Sequence, residues 1–281
     1  MASDQTTAAT ARDHAATPRR PDGSPPDTRY MVPGLERGLK VFALFNRQRK
    51  PLTLTEIAAG VGLSRSATFR LVYTLETLGF LEKAAGDTAF RLTSFVLDLG
   101  FSYLASLDIL DLAEEPLRSL RDRTGAAVHL ARREGREIVY LMRLASTQEL
   151  TSNVQVGARL PAHATSLGRM LLTDLDDEAL ATLYGGVDLA AATKNTATTI
   201  ADLIRLIGED RQRGYVLGHG IFERRLDTLA APIRDGGGRV IAAVSIVGHD
   251  WDFTDEARMR FLTEAVLETA GKISERLGNR R

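Results

Sequence analysis

One stretch of this chain leaves little freedom in how it folds. Thr53-Leu54-Thr55-Glu56 has the spacing of a capping box, in which a hydroxyl and a carboxylate close the start of a short helix over Ile57-Ala58-Ala59. Gly60-Val61-Gly62-Leu63 ends that helix in a tight turn, and Ser64 is placed as the N-cap of a longer one. Leu71, Val72, Leu75 and Leu78 make the apolar stripe of the second helix, and Gly79 stands at its C′ position. Upstream, Gly34 precedes a helical pattern with Leu35, Leu39, Phe42 and Phe45 on one face. Downstream, residues 80–83 and 89–92 alternate around Gly86-Asp87 as a two-stranded hairpin.

Helix, short helix, four-residue turn, longer helix and hairpin, in that order, spell a winged helix-turn-helix. Such a unit lays its second helix in the major groove of double-stranded DNA, with the N-terminal residues at the base edges. The apolar stripe occupies one side of that helix, so Arg65, Ser66, Phe69, Arg70 and Tyr73 fall on the outward side, with Ser64 at its start. Arg65 and Arg70 suit guanine or phosphate, and Ser66 with the helix-start amides suits a phosphate. In the hairpin, Lys83 and Arg91 suit the DNA backbone. A winged helix can also serve as a protein-contact module that touches no nucleic acid, and that alternative stays open.

Charge bears on the choice. The formal net charge is zero, so any affinity for DNA must come from local segregation. Residues 31–92 carry nine Lys and Arg against five Asp and Glu. In residues 1–30, Arg12, Arg19, Arg20 and Arg29 are balanced by Asp4, Asp13, Asp22 and Asp27, so the remainder of the chain is acidic by the same margin. A basic head on an acidic body is the footprint expected of a DNA-binding domain. Residues 1–30, rich in Pro, Ala and Thr without periodic apolar positions, read as a disordered tail. There is no cysteine, which excludes disulfides, thiol nucleophiles and cysteine metal sites and fits a cytoplasmic protein. No apolar run approaches the roughly 20 residues that span a bilayer, and the first residues do not read as a signal peptide.

Residues 93–106 read as a linker helix that is unusually apolar for a connector, so its surface calls for burial against a symmetry mate. Residues 107–281 open with an amphipathic helix carrying Leu112, Leu117 and Leu120, then alternate short strands and helices. Strands are expected over residues 127–131, 137–141, 154–156, 229–234 and 240–247. A helix is expected around residues 166–172, and a last one runs from about Thr254, its N-cap, to Leu277. The fold class is α+β, an antiparallel sheet with helices packed on its face.

Several residues invite sharper chemistry. His163, between Pro161 and a helix, suits either an effector hydrogen bond or a structural turn. His129, among apolar strand residues, reads as a satisfied core histidine. His219 and Glu223 would hold a metal only on a helix, and the preceding residues read as strand, so no metal and no cofactor is expected. Ser166 and Ser245 with His163 and Asp227 raise a hydrolase, an enzyme with an appended DNA-binding head. No Gly-x-Ser-x-Gly elbow supports it, and no catalytic residue is assigned. Gly236-Gly237-Gly238 joins two strands and is a turn rather than a phosphate cradle.

The stretches VPGLERGLKVFALF and LTLTEIAAGVGLSRSATFRLVYTLETLGFLE resemble the IclR family of bacterial regulators, and GARLPAHATSLGRMLL, RGYVLGHGIFERRLDTLAAPI and VIAAVSIVG resemble that family's effector-binding domain. The likeness covers nearly everything after the tail, and VQVGARLPAHATSLGR looks most like the branch controlling aromatic-acid catabolism. It implies a GAF-like sensor domain, a dimer or dimer of dimers on a pseudo-palindromic operator, a small organic acid as effector, and a possible contact with RNA polymerase. By position, the effector pocket would draw on His163, Thr165, Ser166 and Leu167, on Asp227 and Thr228, and on Ser245 and Val247. Where glyoxylate- and pyruvate-binding members carry polar groups, this sequence has Gly218, Thr228 and Val247. A roomier, more apolar pocket follows, which favours an aromatic acid.

Overall fold

The computed structural model describes residues 27–48, 50–84, 88–147, 154–249, 251 and 255–279. Most of the expected tail, the Gly86-Asp87 turn and Thr254 lie outside them; Thr28–Tyr30 forms a single 3-10 turn. The chain divides into two compact units, Met1–Ser102 and Tyr103–Arg281.

The first unit runs α1 (Pro33–Gln48), β1 (Leu52–Thr53), α2 (Leu54–Val61), α3 (Arg65–Thr77), β2 (Leu81–Lys83) and β3 (Ala89–Leu92), and α4 (Phe95–Ala105) starts in it. The strands form an antiparallel sheet in the order β1-β3-β2, so the wing has three strands, one more than the hairpin expected. The capping box is present: the Glu56 carboxylate accepts from the Thr53 amide at 2.8 Å while the Thr53 hydroxyl accepts from the Glu56 amide. Gly62 and Gly79 take φ of 69° and 82°, left-handed values that let α2 and α3 stop without strain.

Val41, Leu44, Phe45, Leu52, Ile57, Val72, Leu75, Leu81 and Phe90 form the core of this unit. Two expected stripes are corrected. In α1 the inner face is Val41, Leu44 and Phe45, while Leu35 and Leu39 are 63% and 57% exposed, because the face meeting α2 and α3 is set by the helix's C-terminal half. In α3, Leu78 is exposed and Thr68 is buried; the Thr68 hydroxyl donates to the Ser64 carbonyl at 3.0 Å, which removes the cost of burying it. Phe95, Leu97 and Leu99 of α4 are about half exposed or more in the single chain.

The second unit continues with α5 (Asp108–Thr124), β4 (Ala127–Glu134), β5 (Glu137–Leu144), β6 (Arg159–Pro161), α6 (Ser166–Leu172), α7 (Asp177–Tyr184), α8 (Ile200–Arg213), β7 (Val216–His219), β8 (Leu226–Arg234), β9 (Val240–His249) and α9 (Glu256–Arg276). All six strands pair antiparallel, in the order β6-β5-β4-β9-β8-β7. Residues 154–156 are not a strand; the edge strand β6 lies further on, after a turn at Gly157. The N-cap of α9 is Asp255, whose carboxylate accepts from the Arg258 amide at 2.9 Å.

Period-two alternation sorts the strand residues into two cores. Val128, Leu130, Leu229, Ala231, Val244 and Ile246 pack with α5 and α9. Ala131, Tyr140, Ala230 and Ala243 pack with α6, α7 and α8. A bulge between Leu130 and Ala131 shifts the β4–β5 register on the second face. No helix of the described residues is long and apolar enough to cross a membrane.

Candidate DNA interface and effector cavity

The start of α3 is built by its own cap. Ser64 has extended backbone, φ −64° and ψ 153°, and its hydroxyl accepts from the Ala67 amide at 3.3 Å. The Ser66 hydroxyl lies 3.2 Å from that of Ser64, so both sit at the helix end. Arg65, Ser66, Phe69, Arg70 and Tyr73 are all exposed along one side. Phe69 and Tyr73 stack with centroids 6.2 Å apart, an aromatic shelf over half open to solvent.

The cations differ in how free they are. Among the described residues neither Arg65 nor Arg70 is in an ion pair, whereas the Arg91 Nε holds the Glu82 carboxylate at 2.7 Å across the wing. Lys83 is exposed beside them. Lys50, which the sequence did not single out, pairs with Glu56 at 2.7 Å. That contact, followed by the Thr53 amide and hydroxyl, holds the Glu56 carboxyl down to about 2.

In the second unit a cavity of about 60 Å³ opens on the α6 side of the sheet. Its floor is His129 of β4, Tyr140 of β5, Thr228 of β8, and Ser245 and Val247 of β9. Thr165, Ser166 and Leu167 close one wall, and Val154 and Leu160 another. A lid between β7 and β8 supplies Ile221, Phe222 and Glu223, with Leu226 at the start of β8. Thr165 caps the short α6, its hydroxyl accepting from the Gly168 amide at 3.0 Å. The Ser166 and Thr228 hydroxyls are hydrogen-bonded to each other. Gly218 makes that possible, since a Cβ there would lie 2.3 Å from the Ser166 Oγ and 2.5 Å from the Thr228 Oγ1.

Six of the eight expected pocket residues therefore meet at one cavity, and two do not. Asp227 precedes Thr228 on the same strand, so its side chain leaves the opposite face of the sheet. There, fully buried, it accepts from the Trp251 amide at 2.6 Å and pairs with the His219 Nδ1 at 2.5 Å. His163 is buried in the turn before α6, its Nε2 at 3.1 Å from the Ala190 carbonyl and its ring edge-on to Tyr184. Both act as braces. His219, bonded to Asp227, and Glu223, in the lid, share no helical turn.

The sequence reading missed eight of the fourteen lining residues. His129 was expected to be a satisfied core histidine; it is buried, but among the described residues its Nε2 has no hydrogen-bond partner. Its ring stands edge-on to Tyr140 at 5.5 Å. Burial, then the charge of Arg143, pushes the imidazole down to about 4, so it is neutral at physiological pH. Burial, then Glu223, pushes the Tyr140 phenol up. The one sign of His129 in the sequence was a polar ring on a strand otherwise apolar.

Two further contacts position the walls. Arg169 of α6 donates through Nε and Nη2 to the buried Asp210 of α8 at 2.9 and 2.6 Å. Burial raises the Asp210 carboxyl, and the Arg169 charge opposes that shift. The lid is tied from behind: the Thr193 hydroxyl donates to the Gly220 carbonyl at 2.6 Å, the Thr196 hydroxyl to that of Ile221 at 2.8 Å, and the Asn195 amide to that of His219 at 2.9 Å.

Residues 34–85 match the family model described as the IclR helix-turn-helix domain, and residues 101–275 match that of the bacterial transcriptional regulator IclR C-terminal. This chain belongs to the IclR family. Like its IclR relatives, it is a ligand-responsive DNA-binding transcriptional regulator. The Pca regulon regulatory protein of Pseudomonas putida is 34% identical over 84% of this chain and 81% of its own length. The Pca operon regulatory protein of Acinetobacter baylyi is 31% identical over 86% and 88%. Among solved structures, an IclR homolog of Microbacterium hydrocarbonoxydans complexed with 4-hydroxybenzoate superposes with a TM-score of 0.76 at 28% identity, covering 87% of this chain and 98% of that one. IclR of Thermotoga maritima gives 0.73 at 26% identity over 87% and 98%.

Proposed function

We propose that this IclR protein controls catabolic genes in response to a small aromatic acid, reading a pseudo-palindromic operator with α3. In this reading residues 31–92 are the DNA-binding domain, 93–106 the linker and 107–281 the effector-binding domain. Ser64, Arg65, Ser66, Phe69, Arg70 and Tyr73 face the major groove, and Lys83 and Arg91 meet the DNA backbone. Two unpaired guanidinium groups on the exposed side of a capped helix support this, because moving them to phosphate or guanine breaks no ion pair.

Thr165, Ser166, Leu167, Thr228, Ser245 and Val247 hold the effector, with His129 and Tyr140 as additional wall. The observation that carries the ligand class is the mixed lining, in which hydroxyls stand among aromatic and aliphatic groups. Relatives named for the Pca system and a 4-hydroxybenzoate complex of a homolog point the same way. In this reading the protein binds its ligand without turning it over, in keeping with relatives that are transcriptional regulators and with a Ser166 hydroxyl bonded to Thr228. The apolar residues exposed on α4, together with Leu35 and Leu39 of α1, suit a second copy of the chain and so a dimer or dimer of dimers. We place the regulator in the cytoplasm, with RNA polymerase as a further partner.

The test is a titration of the full chain against the DNA duplex upstream of its own gene, with and without 4-hydroxybenzoate. A salt-sensitive complex whose affinity changes with the acid is expected. Binding indifferent to every aromatic acid tried would overturn the effector class, and no binding at all would overturn the DNA assignment.

A further inference from the structure

Among the described residues lining the cavity there is no lysine or arginine, and one acidic side chain, Glu223 in the lid. A carboxylate entering this space gives up its hydration with neutral donors, hydroxyls and the first amides of α6, to replace it, which is costly unless a counter-charge forms. One lining group can become a cation. His129 is 2% exposed, lies in register with Ser245 on β9, and has an Nε2 with no partner. Buried polar atoms are nearly always paired, so an unpartnered ring nitrogen on a residue of the cavity wall marks where a ligand atom, once the wall adjusts, completes the bond.

We propose that His129 is the counter-ion of the effector's carboxylate, neutral in the free chain and taking a proton from the solvent as the acid binds. The inference rests on the reading of this cavity as an acid-binding effector site. One proton moves from the buffer to the imidazole, and an imidazolium–carboxylate pair forms where a neutral ring stood.

The groups around the ring fix the direction. On β5, Arg143 is the register partner of His129, and burial and this charge together keep the free imidazole neutral. Tyr140, on the same strand, stays protonated because burial and Glu223 raise it, so it brings no charge of its own. From β9 the facing group is Ser245, a hydroxyl only. From the α6 side come Thr165 and Ser166, while Arg169 is committed to Asp210. Glu223 in the lid also lines the cavity and repels a carboxylate. An opposite charge at hydrogen-bond range then favours the charged ring.

The experiment is calorimetric titration of the full chain with 4-hydroxybenzoate at pH 6, in buffers of different ionisation enthalpy. Uptake approaching one proton per bound acid is expected, with the dissociation constant rising up to about tenfold between pH 6 and 7. The methyl ester, which carries no charge, should bind with no uptake. His129→Gln should keep a polar atom near the same place, bind the acid more weakly and abolish the uptake. Binding of the acid with no proton taken up by the wild-type chain overturns this inference alone, as does undiminished uptake in the variant. No binding of any aromatic acid overturns the effector reading and this inference with it.

Discussion

Acid should destabilise the second unit through His129 even without ligand. In the unfolded chain this imidazole takes a proton near its ordinary 6.5, whereas burial, then Arg143, holds it down to about 4 in the fold. The unfolded state therefore binds more protons between those values. The stability that follows is fully present above pH 6.5 and is lost as pH falls toward 4. At 1.36 kcal/mol for each pH unit of that gap, the loss is about 3 kcal/mol. Trp251, the one tryptophan of the chain, packs against the core shared with α5 and α9, so its fluorescence follows this unit in a urea titration. His129→Gln has no titrating ring at this position and should lose about 3 kcal/mol less across that range. Asp235 and Glu268, held low by Arg239 and by Lys272 and Arg123, contribute an acid loss of their own in both chains, which cancels in the difference. Parallel stability curves for the two chains would refute the assignment of a buried neutral imidazole.

Arg70→Ala should weaken binding to the upstream duplex by about 1–3 kcal/mol and reduce the salt slope by about one, with Arg91→Ala costing less because its guanidinium is shared with Glu82. Fluorescence anisotropy across a salt series measures both, and an unchanged Arg70→Ala isotherm would remove α3 from its role. Gly168→Ala should lower the thermal midpoint, since the new Cβ would sit 2.1 Å from the Ala162 carbonyl oxygen and force the backbone before α6 to move, at about 1–3 kcal/mol or more; an unchanged midpoint would contradict that packing. Gly218→Ala places a methyl between the Ser166 and Thr228 hydroxyls and 2.7 Å from the Ile221 Cδ1. It should weaken aromatic-acid binding about tenfold while leaving the DNA isotherm of the free chain intact; calorimetry showing no loss would place the ligand elsewhere.

What the sequence announced and what it hid divide on physical lines. Caps are local: Thr53, Glu56 and Ser64 bond to amides three residues away, so their spacing alone located α2 and α3. The stripe of α1 depends on which side meets α2 and α3, which helical period cannot say, and so Leu35 and Leu39 were assigned inward. The pocket shows the same limit. Motif likeness reached Ser166, Thr228 and Ser245, which sit in continuous matched stretches. It also brought in Asp227, one residue along from Thr228, though a strand cannot aim neighbours at one cavity. His129 and Tyr140 stand on neighbouring strands the sequence did show, but they join the pocket through the pairing of β4 with β9, a contact between distant residues for which one sequence carries no signal.

The size of the cavity adds a constraint on how any ring gets in. About 60 Å³ is well short of the roughly 150 Å³ that admits benzene in an apolar core, so a substituted ring enters only if a wall yields. The sheet floor cannot, because His129, Ser245 and Thr228 stand on three adjacent paired strands. The α6 wall is pinned by the Arg169–Asp210 pair and by Gly168 packed on Ala162. The lid is held at both ends: Thr193, Thr196 and Asn195 grip the carbonyls of residues 219–221, and the Arg225 carbonyl lies 3.1 Å from the His249 Nδ1. Between these anchors Phe222 is half-buried and Glu223 and Arg224 are exposed, so the segment with most room to yield is residues 222–224. Glu223 travels with it. Opening thus carries an acidic group away from the entering carboxylate, so the same movement that makes room for the ring also lowers the repulsion its charge meets.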